Sequence, residues 1–394
     1  MWLWDVSAPW RLRQPSARPL TSALPASSPT MKPSPSSPSK RVSLCSSGGC
    51  RCVGSSIWIT PRPKASSATV PSGAWSAWCA PLGSSKGKDS SRKIRKRWIK
   101  GRKGGGKTMR ILYLDIDTLR PDHLGCYGYP RNTSPTIDWI ASEGVRFERC
   151  HVSDAPCLPS RTALVTGRFG IHSGVVAHHG RAADPFPIGP ERRFSSTPGF
   201  EHWFLMLQRA GFYTVSVSPF PQRHAAWWFV GGLKEWLNPG RNGQERADEI
   251  NALAVPWLER NAEKDNWFLH VNYWDPHTPY RTPIEYGNPF EEEPPPDWLT
   301  EDLLRQHWEG CGMRSAQDAW AFWAHGQWPR MPENIRTLED WKRWIDGYDV
   351  GIRYADDHIH QLLDILERKG VLEETVIIVS SDHGENQGEL NFYG

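Results

Sequence analysis

The stretch YDVGIRYADDHIHQLLDILERKGVLEETVIIVSSDH, residues 348–383, holds the pattern that decides the fold. Tyr348, Ile352, Ala355, Ile359, Leu362, Leu363 and Leu366 recur at three- and four-residue spacing, which makes one apolar stripe on a helix. The helix is predicted over residues 348–369, with Gly370 as its stop. Residues 375–380, TVIIVS, follow as a β-branched run predicted to be a buried strand. Asp382 and His383 stand just beyond it. A helix that feeds directly into a buried strand is the building unit of a layered α/β fold.

Working outward, residues 110–117 (RILYLDID) read as another buried strand that ends in acids. Residues 134–144 read as a helix, with Ser134 as N-cap, Pro135 at the first position and Gly144 after the end. Strands are also predicted at 147–152, 213–218 and 267–273. Helices are predicted to start at Arg161 and to span 201–210. Residues 283–345, rich in Pro, Glu and Trp, read as an irregular insertion with short helices. The fold class is α/β, a mostly parallel mixed central sheet flanked by helices. In such sheets ligands bind beyond the carboxyl ends of the strands. Asp115 and Asp117 on one strand, and Asp382 and His383 on another, belong at that rim.

The 394-residue chain carries 47 Lys+Arg against 43 Asp+Glu, a net +4 that hides a split. Residues 1–108 hold 20 basic and 2 acidic side chains; residues 109–394 hold 27 and 41. The first part is Ser/Pro-rich, without period 2 or 3.6, and reads as a disordered basic leader. Its end, GRKGGGKT, imitates a phosphate-binding loop but precedes a strand where that motif must follow one. A run of Gly, Lys and Arg just before Met109 suits translated upstream sequence, with Met109 as the natural start. A nucleic-acid arm is the alternative for this leader, and nucleic acid is not the expected partner. No apolar run approaches a membrane span, and the N-terminus has no signal-peptide core. Eight cysteines (Cys45, Cys50, Cys52, Cys79, Cys126, Cys150, Cys157 and Cys311) show neither zinc-ribbon nor disulfide-framework spacing, so a reduced, cytoplasmic chain is expected.

Two constellations carry chemistry. Asp117, Asp382 and His383 combine carboxylate oxygens with an imidazole, a set suited to a divalent cation; acids that simply cap helices are the alternative. Cys157-Leu-Pro-Ser-Arg161, followed by Thr166-Gly167-Arg168, puts a cysteine at a loop-to-helix junction with an arginine one turn on. Backbone N–H groups there favour anions, and the guanidinium can fork onto an oxyanion. A buried core cysteine is the alternative.

These residues resemble the type I sulfatases, formylglycine-dependent members of the alkaline phosphatase superfamily. Cys157-x-Pro-Ser-Arg161 with Thr-Gly-Arg looks like the family signature. Residues 117–128 (DTLRPDHLGCYG), 275–280 (DPHTPY) and 381–385 (SDHGE) resemble three further motifs, in the family's order. The resemblance covers residues 109–394 and not the leader. It implies sulfate-ester hydrolysis by a formylglycine made from Cys157, whose gem-diol attacks sulfur and whose second hydroxyl releases the sulfate. Pro159 and Ser160 would then address a formylglycine-generating, sulfatase-maturing enzyme, and Arg161 would steady the diol. The implied metal ligands are Asp117, the modified Cys157, Asp382 and His383, with calcium the expected ion and manganese the second. Thr118 stands where many members carry a second Asp, and Asp115 is an extra acid that could serve as ligand or support. His277 matches a position that contacts the sulfate or protonates the leaving group. His224 lies where the family often has a Gly-Lys-Trp-His pattern, but the lysine is missing, and neither Lys234 nor Arg223 is a clear substitute. Trp227, Trp228 and Trp236 could floor a site for a sugar sulfate, with core packing as their alternative role. Gly394 follows the last motif closely, where family members usually continue, so a truncated catalytic domain lacking its C-terminal subdomain is expected. The rivals are a phosphonate monoester or phosphodiester hydrolase of the same superfamily and an inactive fragment.

Overall fold

The computed structural model describes residues 58–59, 109–185, 202–319 and 327–394. The strands are β1 (Trp58–Ile59), β2 (Arg110–Ile116), β3 (Val145–Arg146), β4 (Tyr213–Val217), β5 (Glu235–Leu237), β6 (Trp267–Tyr273) and β7 (Thr375–Ser380). The helices are α1 (Pro135–Glu143), α2 (Cys157–Thr166), α3 (Gly170–Ser173), α4 (Trp203–Arg209), α5 (Phe220–Arg223), α6 (Ala247–Asn261), α7 (Glu301–Glu309) and α8 (Leu338–Arg368). Apart from β1, the leader expected to be disordered lies outside the described residues, as does its P-loop imitation.

Five strands pair in the order β5-β4-β6-β2-β7. Every pairing among these described strands is parallel, which gives the parallel central sheet flanked by helices. Strand alternation sorts the side chains onto two faces. Leu112, Leu114 and Ile116 of β2 join Leu269, Val271 and Tyr273 of β6 under α1, α6 and α8. Tyr113 and Phe268 turn to the other face, under α2, α4 and α5. Asp115 and Asp117 share the parity of Tyr113, so both acids leave β2 on the α2 side.

Helix α8 explains why the sheet reads as one unit. It begins at Leu338, ten residues before the expected start, so residues 338–345 belong to it and not to the insertion. Thr337 caps it: its hydroxyl accepts from Asp340 N–H at 3.0 Å, and Asp340 accepts from Thr337 N–H at 2.8 Å. Inside the helix, Tyr348 donates its hydroxyl to the Thr118 carbonyl at 2.6 Å and accepts from Arg120 N–H at 2.9 Å. Those bonds hold the turn that leaves β2. Asp356 reaches the start of α1 and accepts from Thr136 and Ile137 N–H, each at 2.8 Å. It satisfies two donors that the first turn of any helix leaves without partners. Asp356→Ala should therefore cost about 1–3 kcal/mol, read as a lower urea midpoint with unchanged slope.

Three expectations need correction. Residues 147–152 form no strand; only Val145–Arg146 pair, antiparallel with β1, and among the described residues the largely exposed run after them has no strand partner. Helix α2 starts at Cys157, four residues before Arg161. Helix α6 was not among the expected elements; it contains Pro256. Its first turn is held instead by Glu249, whose side chain accepts from Arg246 N–H at 2.9 Å.

Candidate active site

β2 delivers Asp117 one residue past its end, where Asp117 N–H donates to the Tyr273 carbonyl of β6 at 2.9 Å. Thr118 then takes a positive φ of 57°, a conformation rare for a β-branched residue. The bend lets Thr118 N–H donate to Asp382 Oδ1 at 3.1 Å, which ties the β2 turn to the β7 turn. Asp382 follows β7 and is buried, as is Asp117. α2 supplies the third component from its first turn. Its N-cap is Pro156, and Cys157, 1% exposed, points down at the strand ends. Ser160 locks that placement by donating to the Asp382 carbonyl at 2.6 Å.

Donor atoms of Asp117, Cys157, Asp382 and His383 all lie within 4.8 Å of one another. Cys157 Sγ is 3.1 Å from His383 Nε2 and 3.9 Å from Asp117 Oδ1. His383 is oriented by its other nitrogen, Nδ1, 2.7 Å from the Gly384 carbonyl. Arg161 lies beneath, one turn into α2, fully buried. Its Nε donates to Asp115 Oδ2 at 2.8 Å, and its Nη1 to Asp117 Oδ2 at 2.8 Å and Asp382 Oδ2 at 2.6 Å.

Asp115 is thus placed differently from its companions. Two residues back along β2, roughly 6.6 Å from Asp117 by strand rise, it stands outside the four-donor set. Its carboxylate faces Arg161 and His270 Nε2, the latter at 3.3 Å, and His270 Nδ1 reaches Ser216 Oγ at 2.8 Å. The ligand reading of Asp115 is replaced by an anchoring one.

The charges are strongly coupled. Burial alone would raise the Asp117 carboxyl, but Arg161 above all, with His277 and His383, holds it well below the usual range. Asp382 moves the other way, up to about 6, because burial outweighs Arg161 and Asp117 lies close. Burial, then the Asp117 charge, pushes the Cys157 thiol up to about 11.

The opposite side of Cys157 is lined by nitrogen. His224, at the C-terminal end of α5, and His178 approach Cys157 closely enough for the three donor atoms to lie within 4.8 Å of one another. The two imidazole rings are 4.7 Å apart. Leu158 N–H donates to His178 Nε2 at 3.4 Å. Burial lowers both histidines, His178 to about 4 and His224 to about 2, with neighbouring cationic groups adding to it. His277 follows β6 in a loop where its Nδ1 meets the Thr278 carbonyl. Burial brings it to about 3, against the pull of Asp117. His178 was missed in the sequence; the only signal is a His-His doublet shortly after Thr-Gly-Arg. Trp227 is 55% exposed with its ring edge-on to Trp236, Trp236 donates Nε1–H to the Ser218 carbonyl, and Trp228 is half-buried. Among the described residues, the free cysteines are Cys126, Cys150, Cys157 and Cys311, and no helix is long and apolar enough to cross a membrane.

This architecture is shared with solved structures. A protein solved with its substrate D-glucosamine-2-N,6-O-disulfate superposes with a TM-score of 0.54 at 19% identity, over 73% of this chain and 68% of that one. The phosphonate monoester hydrolase of Silicibacter pomeroyi gives 0.52 at 19% identity, over 73% and 65%. The likeness shows a shared layered α/β fold. Within it, residues 110–394 match the Sulfatase family model, and the chain belongs to the sulfatase family. The uncharacterised sulfatase YidJ of Escherichia coli (strain K12) is 26% identical over 310 residues, covering 72% of this chain and 58% of that protein. The chain spans less than two thirds of the length of such curated relatives.

Proposed function

We propose that residues 109–394 form the catalytic domain of a sulfuric ester hydrolase that uses a formylglycine at position 157 and a divalent cation. The observation that carries this reading is the convergence of Asp117, Cys157, Asp382 and His383 on one point above Arg161. The donor set fits a hard cation. Two buried carboxylates and one imidazole converge, and an oxygen in place of Sγ would complete a set that suits calcium first and manganese second. The cation would polarise the sulfuryl oxygens and stabilise charge at attack. Formylglycine would supply the nucleophilic hydroxyl that the protonated thiol does not.

The chain's own residues do the remaining work. Arg161 fixes the facing oxygens of Asp117 and Asp382, so neither carboxylate must reorganise when the site is loaded. Ser160 sets the depth of the nucleophile by its bond to the Asp382 carbonyl. His277 is held through Nδ1, which leaves Nε2 as its proton-accepting atom. The superposition on a glucosamine disulfate complex and the exposed Trp227 favour a sugar sulfate, and conversion of Cys157 calls for a sulfatase-maturing partner.

A second reading, a phosphonate monoester or phosphodiester hydrolase, is favoured by Thr118 in place of a second acid and by the Silicibacter likeness. The test is a side-by-side assay of glucosamine 6-sulfate, 4-nitrophenyl sulfate, a phosphonate monoester and a phosphodiester on protein co-expressed with a maturing enzyme. Faster turnover of the sulfates supports the first reading, and faster turnover of the phosphorus esters the second. Dialysis against a chelator should remove at least about 100-fold of the activity, restored by calcium before manganese; full activity without metal would overturn the cation's part.

A further inference from the structure

Thr118, one residue past Asp117, keeps a left-handed φ of 57° although two heavy atoms branch from its Cβ. Its side chain does not hold it there, because Oγ1 is buried without a hydrogen-bond partner. The restraint comes from α8. Tyr348, fully buried, donates to the Thr118 carbonyl at 2.6 Å and accepts from Arg120 N–H at 2.9 Å, so one oxygen spans the bend. Helical spacing accounts for the Tyr348 ring in the core and not for that hydroxyl. On the other side of the bend, Thr118 N–H donates to Asp382 Oδ1, which also accepts from His383 N–H at 2.9 Å. Rotation about the Thr118 φ bond turns the peptide unit that joins it to Asp117 against the chain that follows. A relaxed Thr118 would therefore carry its N–H away from Asp382 and turn Asp117 with it. Tyr348 is itself fixed. Its ring stands edge-on to His123, 4.9 Å between centroids, and the adjacent Asp349 accepts from Tyr129 O–H at 2.7 Å and Arg131 Nη1 at 2.9 Å.

We infer that Tyr348 is a positioning residue for the divalent cation. Its hydroxyl keeps Thr118 left-handed, and the Thr118 turn keeps Asp117 and Asp382 converged. A helix side chain that touches neither ester nor ion thereby sets how tightly the ion is held, because ligands already in place need not rearrange on loading. Backbone strain of this kind persists only where the surroundings enforce it, and here one phenol does so. The cation's placement at Asp117 and Asp382 comes from the proposed function, which this role deepens.

The test titrates the full-length chain with calcium and, in a second arm, manganese, by calorimetry. Tyr348→Phe keeps the ring and removes the clamp, and should weaken calcium binding at least about tenfold. Thr118→Asn and Thr118→Gly place residues that accept a left-handed φ unaided. In either background Tyr348→Phe should weaken calcium binding by less than about threefold, because the bend then needs no clamp. That dependence on residue 118 separates positioning from packing, since lost packing acts alike in every background. Asp356→Ala, which loosens α1 and touches neither turn, should leave calcium affinity within about threefold. Equal losses in all three backgrounds, no loss in Tyr348→Phe, the same loss in Asp356→Ala, or binding of neither ion to the unsubstituted chain would each overturn the clamp. Background-dependent loss in a chain without sulfatase turnover would keep the clamp and remove the functional reading. Sulfatase turnover by a chain that binds neither ion would do the reverse.

Discussion

Cys157→Ala is expected to abolish sulfatase turnover, by about 10⁴-fold or more, because it removes the only atom from which the nucleophile can be made. Little else should change. Cys157 occupies the first position of α2, where alanine is well tolerated, and its removal deletes one buried sulfur. The stability cost should stay near about 1 kcal/mol. The pairing of lost turnover with a preserved unfolding midpoint is the signature to measure. Turnover within tenfold of the unsubstituted enzyme would rule out chemistry at this position.

Arg161→Met should be nearly as damaging to turnover and far more damaging to the fold. It leaves Asp115, Asp117 and Asp382, all buried, without the guanidinium that bonds each of them. Breaking a buried ion pair on one side costs about 3–5 kcal/mol, since the abandoned charges stay out of water. The pH dependence carries the diagnosis. In the intact protein, Arg161 helps hold Asp115 and Asp117 below their unfolded values; that stabilisation is present above the unfolded carboxylate pKa and fades as pH falls through the folded one. In the variant the same carboxyls should titrate above their unfolded values, so protonation favours its folded state. The stability gap between the two proteins should therefore be widest near pH 8 and shrink towards pH 5. A gap independent of pH would mean that Arg161 acts by packing alone.

The layered fold and the acidic rim were legible because they rest on local rules. β6 was read to the residue from its apolar run, and the stripe of α8 came directly from helical spacing. What failed depended on distant partners. The first ten residues of α8 are defined by the Thr337–Asp340 cap and a buried Trp341, but they sit in a Pro- and Glu-rich neighbourhood that masked them. The 147–152 run has a strand's composition but no strand partner among the described residues. For the site, Asp117, Cys157, Asp382 and His383 were visible through motif spacing. Parity put Asp115 on the correct face but could not give its depth, which decided its partner. His178 carries no motif and owes its place to the loop that brings it to Cys157.

The burial of Cys157 has a consequence for the order of events in synthesis. Its sulfur is covered in part by His383 and Asp382, which follow it in the chain by more than 220 residues. At about 5–20 residues per second, that interval lasts on the order of ten to forty seconds on the ribosome. Cys157, Pro159 and Ser160 are all buried in the folded chain, so the maturing enzyme proposed above would have to grasp them before β7 docks. On the proposed reading, modification at position 157 would be a race between an enzyme and a strand. Slowing translation between residues 161 and 375 should raise the modified fraction, and a shortage of the maturing enzyme should leave a folded, permanently unmodified pool.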